Sequence, residues 1–208
     1  MTNEYLKIFF FKRLSKYTTD NAFIAGTYEQ LFKNYSDRNR RYHDTLHLTQ
    51  LLKMLELNLH LINNEDVIYF AIWYHKSVYS PWKKNNVELS AELAKDKLSK
   101  TQFPEDQTEK VSRYILATEN YVSDGTNDMN YFLDFNLSIY ASDLPVYEIY
   151  IQQLREENGL YPNFLSRSRR KKFLSDLLDK EYIFNTEEFR KSSEKMAREN
   201  IAFELENY

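Results

Sequence analysis

The residues best equipped for chemistry in this sequence are its four histidines, His43, His47, His60 and His75. There is no cysteine, so thiolate ligands and thiol nucleophiles are excluded. His43 and His47 lie in RRYHDTLHL, four positions apart, and a helix that includes both sets them on one side. His75 ends an apolar run in AIWYHKSVYSP and is followed at once by Lys76. Imidazoles so placed can ligate a transition metal or move a proton. A carboxylate beside His75 would make a ready metal site, whereas an ammonium works against one. His60, in LNLHLIN, has no polar partner nearby in sequence and reads as structural. Each of the other three, taken alone, could equally fill a core or cap role. Their recurrence on consecutive helices is what favours a joint role.

The elements that must position these residues are helical throughout. Apolar residues recur at helical spacing, predicting helices near 3–17, 20–35, 45–62, 65–79, 86–100, 104–121, 128–140, 144–158, 162–179 and 186–206. Pro104 followed by Glu105 and Asp106 suits a first helical turn, because Pro needs no N–H partner and acids favour the positive dipole end. Asn185 with Glu188 has capping-box spacing, and Asp143 before Leu144 and Pro145 has the look of a cap. Three glycines and four prolines are too few turn-makers for a many-stranded sandwich or barrel. No repeat, low-complexity tract or linker interrupts the chain, so its 208 residues are expected to form a single domain, an all-α bundle of about ten helices.

Composition narrows the function classes. The net charge is −3, which gives no general attraction to nucleic acid or anionic lipid. Local basic clusters at Arg38, Arg40 and Arg41, at Lys83 and Lys84, and from Arg167 to Lys172 are expected to be solvated helix ends and faces. The longest apolar run, VIYFAIWY, is far shorter than the ~20 residues of a membrane span. The N-terminus reads as a helix and not as a signal peptide. Absence of cysteine fits a reducing compartment, and the cytoplasm is the expected location.

Beyond these features, a series of segments in order resembles the HD-domain superfamily. They are RRYHDTLHL, AIWYHKSVY, NNVELSAEL, YILATEN, FLDFNLSIY, QLREEN and MARENIAFEL. The match is to its bacterial branch of small, predicted metal-dependent phosphohydrolases and runs from about residue 22 to the C-terminus. The opening motif also resembles the YHNxxH signature of cyclic-nucleotide phosphodiesterases. The resemblance implies a helical fold in which a histidine, an adjacent His-Asp pair and a later Asp hold a divalent metal that activates water. By that correspondence His47 and His75 match the histidine ligands, and His43 matches a proton donor beside the leaving group. Lys76 stands where the pair's aspartate belongs, and Asn136 stands where the last acid belongs. Asp134 keeps only the first acid of that segment. Val87 replaces a usual Glu, although Glu88, Ser90 and Ala91 fit, and Glu119-Asn120 stands where the branch has Lys-His.

The departures change the expected chemistry. A dication about 4 Å from an ammonium is repelled by roughly 8 kcal/mol at an effective dielectric near 20, as an upper figure. Two imidazoles without an acid are a poor site for Mg or Mn, which prefer oxygen donors, while Zn is less excluded. The leading expectation is therefore a binder of a small phosphorylated molecule or nucleotide that needs no metal. Lys76, Asn136, Arg41, Tyr79 and Glu88 would contact the ligand, and an acid (Asp134 first, then Asp44 or Glu88) would hold Lys76. The first alternative is an active phosphohydrolase using Mn, Mg or Zn on His47, His75 and Asp134, with His43 as the acid. The second is a structural or interaction protein that keeps only the bundle.

Overall fold

The structure, a computed structural model, describes residues 3–80, 83–159 and 163–207, without the side chains of 163–165. Among these residues there are ten α-helices and no strand. They fall into two compact units, Met1–Val122 and Ser123–Tyr208. The first holds α1 (Asn3–Leu14), α2 (Asn21–Tyr35), α3 (Thr45–Leu57), α4 (Glu65–Tyr74), α5 (Asn86–Leu98) and α6 (Glu105–Ala117). The second holds α7 (Asn127–Leu137), α8 (Leu144–Glu157), α9 (Asn163–Leu178) and α10 (Glu187–Glu206). The expected start of the ninth helix, at 162, lies outside the described residues.

Local chemistry sets most helix starts. Asp20, Asp44 and Asn64 each accept hydrogen bonds from N–H groups of the first turn that follows, supplying partners that a helix start lacks. Pro104 occupies the cap position of α6, with Glu105 and Asp106 in the first turn. Asp143 also stands at a cap position, but its side chain makes no cap bond. At α10 the cap is Thr186, one residue later than the Asn185 spacing predicts: its hydroxyl accepts from the Phe189 N–H, and both Asn185 and Thr186 donate to Asp134.

The first unit is built around α4. Every residue from Asp66 to Tyr74 is buried, as expected for a helix apolar on all sides. It packs against α3, α5 and α6. The Trp73 ring meets Phe10 at 4.8 Å and Tyr28 at 5.9 Å, bringing α1 and α2 onto the same core. At the other end of α4, Asp66 accepts hydrogen bonds from Arg13, Lys16 and Tyr17 and so fastens α1. Burial alone would raise the Asp66 pKa, but those bonds outweigh it and hold the carboxyl below its ordinary value.

In the second unit the fixed point is ionic. The run from Arg167 to Lys172 is not uniformly solvated: Arg170 turns inward, with only 10% of its side chain exposed, against Glu204 at 2%. Its Nε and Nη2 donate to the two Glu204 oxygens at 2.8 Å each. Its Nη1 donates to the Tyr140 and Tyr150 hydroxyls at 2.8 and 3.1 Å, and Tyr147 donates to Glu204. The turn after α7, α8, α9 and α10 thus share one network. Replacing Arg170 with Ala strands a buried carboxylate and should cost about 3–5 kcal/mol in urea unfolding. Replacing both partners, as Arg170→Met with Glu204→Leu, should recover most of that loss, which the same unfolding curves would read.

Candidate functional site

Two histidines meet at the ends of α3 and α4. His75 caps the C-terminus of α4 and is fully buried. Its Nδ1 donates to the Ile72 carbonyl, one turn back, at 2.7 Å, which makes Nε2 of the neutral ring an acceptor. His47, the third residue of α3, places its own Nε2 3.2 Å from that of His75. With both rings neutral, the arrangement requires His47 to carry its proton on Nε2 and to donate it. His43 precedes the Asp44 cap and lies outside α3, so the four-residue spacing is not a helical one. Its ring nevertheless packs edge-on to His47 at 5.4 Å, and against Tyr79 at 4.9 Å. Tyr42 stands against both His43 and His47.

Two sets of polar side chains hold the loops that present this group. Arg40, only 8% exposed, donates from Nη1 to the carbonyls of His43 at 3.2 Å and Lys76 at 2.6 Å. Its Nη2 donates to the Ser77 carbonyl at 3.3 Å, and the guanidinium lies over the Tyr35 and Tyr79 rings. The Tyr35 hydroxyl accepts from the Lys76 N–H at 3.3 Å, and Asn34 donates to the Ser77 carbonyl. These bonds stop α4 at Tyr74 instead of the 79 that periodicity predicts. From the other side, Asn86 and Ser90 stand one turn apart on α5. Asn86 pairs with both the N–H and the carbonyl of Ser80, and Ser90 with those of Val78. Sequence reasoning missed Arg40, Tyr35, Asn34 and Asn86. Nothing in SDRNRRYH marks which of its three arginines turns inward.

The electrostatics follow from burial and from these cations. The His47 pKa lies well below its ordinary 6.5, first through burial, then through His75, His43, Lys76 and Arg40. His75 is lowered likewise, first by burial and then by Lys76, against the Ile72 hydrogen bond. The same positive surroundings would repel a metal cation. Among the described residues no three His, Asp or Glu side chains gather where they could share one. Two imidazoles alone do not fit Mg or Mn, which require several oxygen donors.

The other expected residues are distributed as follows. Lys76 and Tyr79 are half-buried beside the histidines, and Arg41 is exposed. The Glu88 Oε2 is buried without a hydrogen-bond partner, as is the Ser77 hydroxyl. Asp44 is committed to capping α3. His60 is exposed on the turn after α3. In the second unit, Asp134 is fully buried and accepts four hydrogen bonds. They come from the N–H groups of Asn185 and Thr186 at 2.8 Å each, from Asn185 Nδ2 at 3.0 Å and from Thr186 Oγ1 at 2.7 Å. Burial raises the Asp134 pKa, and these bonds oppose the rise. Asn136, two residues on, donates back to the Phe132 carbonyl at 2.8 Å.

No family model matches the chain, and no curated protein or solved structure matches it. The chemistry of the site rests on its own geometry. Because His47 and His75 are held neutral when folded, their contribution to stability is complete above about pH 6.5 and is lost as pH falls toward the depressed folded values. Thermal midpoints should therefore drop from about pH 7.5 to about pH 5.5, and His75→Gln should flatten that drop. An unchanged slope in the variant would show that the pair does not govern acid sensitivity.

Proposed function

We propose that the first unit binds a phosphorylated or nucleotide-like ligand at His43, Lys76, Tyr79 and Arg41, through a degenerate HD-type site that does not depend on metal. The observation that carries the reading is the buried His47–His75 pair at 3.2 Å. Both rings are held neutral, His75 has partners for both nitrogens in His47 and the Ile72 carbonyl, and the pair lies within the field of Lys76 and Arg40. A site whose imidazoles are kept uncharged, first by burial and further by nearby cations, favours an anion over a cation. Arg40 spends its donors on carbonyls, so the ligand-facing cations are Lys76 and Arg41. Lysine meets phosphate as a point charge, and arginine can grip two of its oxygens at once.

His43 lies at the half-exposed edge of the group, against Tyr79, where it can donate to a phosphate oxygen. The half-exposed part of the Tyr79 ring, beside His43, offers apolar surface to a base or sugar. The metal-dependent reading has no comparable support, since the Asp134 oxygens are taken up by the start of α10.

The test is thermal stabilisation by pyrophosphate and a set of nucleotides, in buffers containing a chelator. A ligand at a hundredfold excess over Kd should add ~2.7 kcal/mol of stability, and Lys76→Gln should abolish the shift while the variant still folds. Stabilisation that survives Lys76→Gln places the anion elsewhere, and stabilisation by metal alone overturns the reading. In the converse direction, Lys76→Asp exchanges the repelling charge for an oxygen donor beside His75. Zinc titrated into this variant should give measurable heat where the parent gives little.

A further inference from the structure

We propose that the exposed cationic face of α9 is an interaction surface for the sugar-phosphate backbone of a nucleic-acid duplex, bound without regard to base sequence. The proposal is independent of the site in the first unit. Five cations occupy the six positions from Arg167 to Lys172, and no Asp or Glu occurs between Glu157 and Asp176. Arg170 alone turns inward, to Glu204, and leaves Arg167, Arg169, Lys171 and Lys172 exposed around Ser168. Lys172 pairs with Asp176, in contact with solvent, whereas Arg167 and Lys171 make no ion pair with a described residue. Those two stand one turn apart, a like-charge spacing that weakens a helix. A face on which Arg167 and Lys171 keep such repulsion without a neutralising acid among the described residues is suited to an external polyanion.

The kind of polyanion follows from what accompanies the charge. Every exposed residue among the described side chains of α9 is polar; Leu174 and Leu177 are buried, and Phe173 and Leu178 are half-buried. A helix that settles into a lipid surface needs an exposed apolar face beside its cations, and among the described side chains this one offers none. Single-stranded nucleic acid is gripped by stacking its bases on exposed aromatic rings, and none is exposed among the described side chains of that face. What remains among the described side chains is a row of guanidinium and ammonium donors along one helix, the equipment for phosphates held at regular spacing. The overall charge of −3 does not forbid this, because salt screens distant charges more than those in contact.

The test uses the full chain and a fluorescein-labelled DNA duplex of about 20 base pairs, read by anisotropy at 50 and 200 mM salt, with an RNA duplex in parallel. Neutralising up to four phosphates predicts a loss of roughly a hundredfold in affinity across that salt range. The combined variant Arg167→Gln, Arg169→Gln, Lys171→Gln and Lys172→Gln, with Arg170 retained, should bind at least roughly tenfold more weakly. A control that removes the same charge from exposed lysines of the first unit (Lys7, Lys33, Lys53 and Lys84, each to Gln) should bind like the parent. If the combined variant fails to fold by circular dichroism, Ser168→Glu places an acid among the cations and should weaken binding severalfold. Failure of the parent to bind a duplex at the lower salt overturns the proposal, as does undiminished binding by the α9 variants. Preference for phosphatidylserine vesicles or for single strands over a duplex overturns it equally.

Discussion

Burial of α4 on all sides is the constraint from which the first unit follows. A helix with no solvated face must have its terminal polar groups satisfied by neighbours, since unpaired groups inside the protein are costly. At the N-terminal end Asp66 collects Arg13, Lys16 and Tyr17 and thereby fixes α1. At the C-terminal end the Tyr35 hydroxyl and the Arg40 guanidinium meet the chain from Lys76 to Ser77, fixing the end of α2 and the loop before α3. The candidate site sits where α4 is brought to a stop.

That placement explains the chemistry of the histidines. His75 is buried because it belongs to the end of α4, and its ring must find partners within the protein. The Ile72 carbonyl takes one nitrogen and His47 takes the other. Burial and two nearby cations keep both rings uncharged, so the group presents a fixed set of donors and lone pairs instead of a titrating pair. The clamp formed by Asn86 and Ser90 on Ser80 and Val78 belongs to the same design, holding an irregular loop by hydrogen bonds that imitate a neighbouring strand.

The second unit handles buried charge by pairing it. Glu204 is neutralised by a two-pronged contact with Arg170 and one tyrosine hydroxyl. Asp134 makes no ion pair with a described residue; its four hydrogen bonds come from the residues that begin α10, where the N-terminal N–H groups favour a negative charge. Each of these carboxylates therefore joins elements far apart in sequence. Asp134 spans 51 residues to Asn185, and Glu204 spans 34 to Arg170.

The sequence alone determined the helical class and nearly all helix positions, because a 3.6-residue apolar period and local capping groups are short-range properties. The Pro104 start and the Asp44-bounded beginning of α3 depend on neighbours within a few residues. Sequence also singled out His43, His47 and His75 by type and spacing. Only tertiary structure decided which arginine of SDRNRRYH enters the core, because all three have the same local context and differ in what lies across the fold. It likewise decided that Arg170 leaves its basic run for Glu204, and that Asp134 serves the start of α10. Charge–charge and hydrogen-bond partners dozens of residues apart leave no periodic trace in the chain. They are selected by packing, which alone determines whether a polar side chain meets water or another buried group.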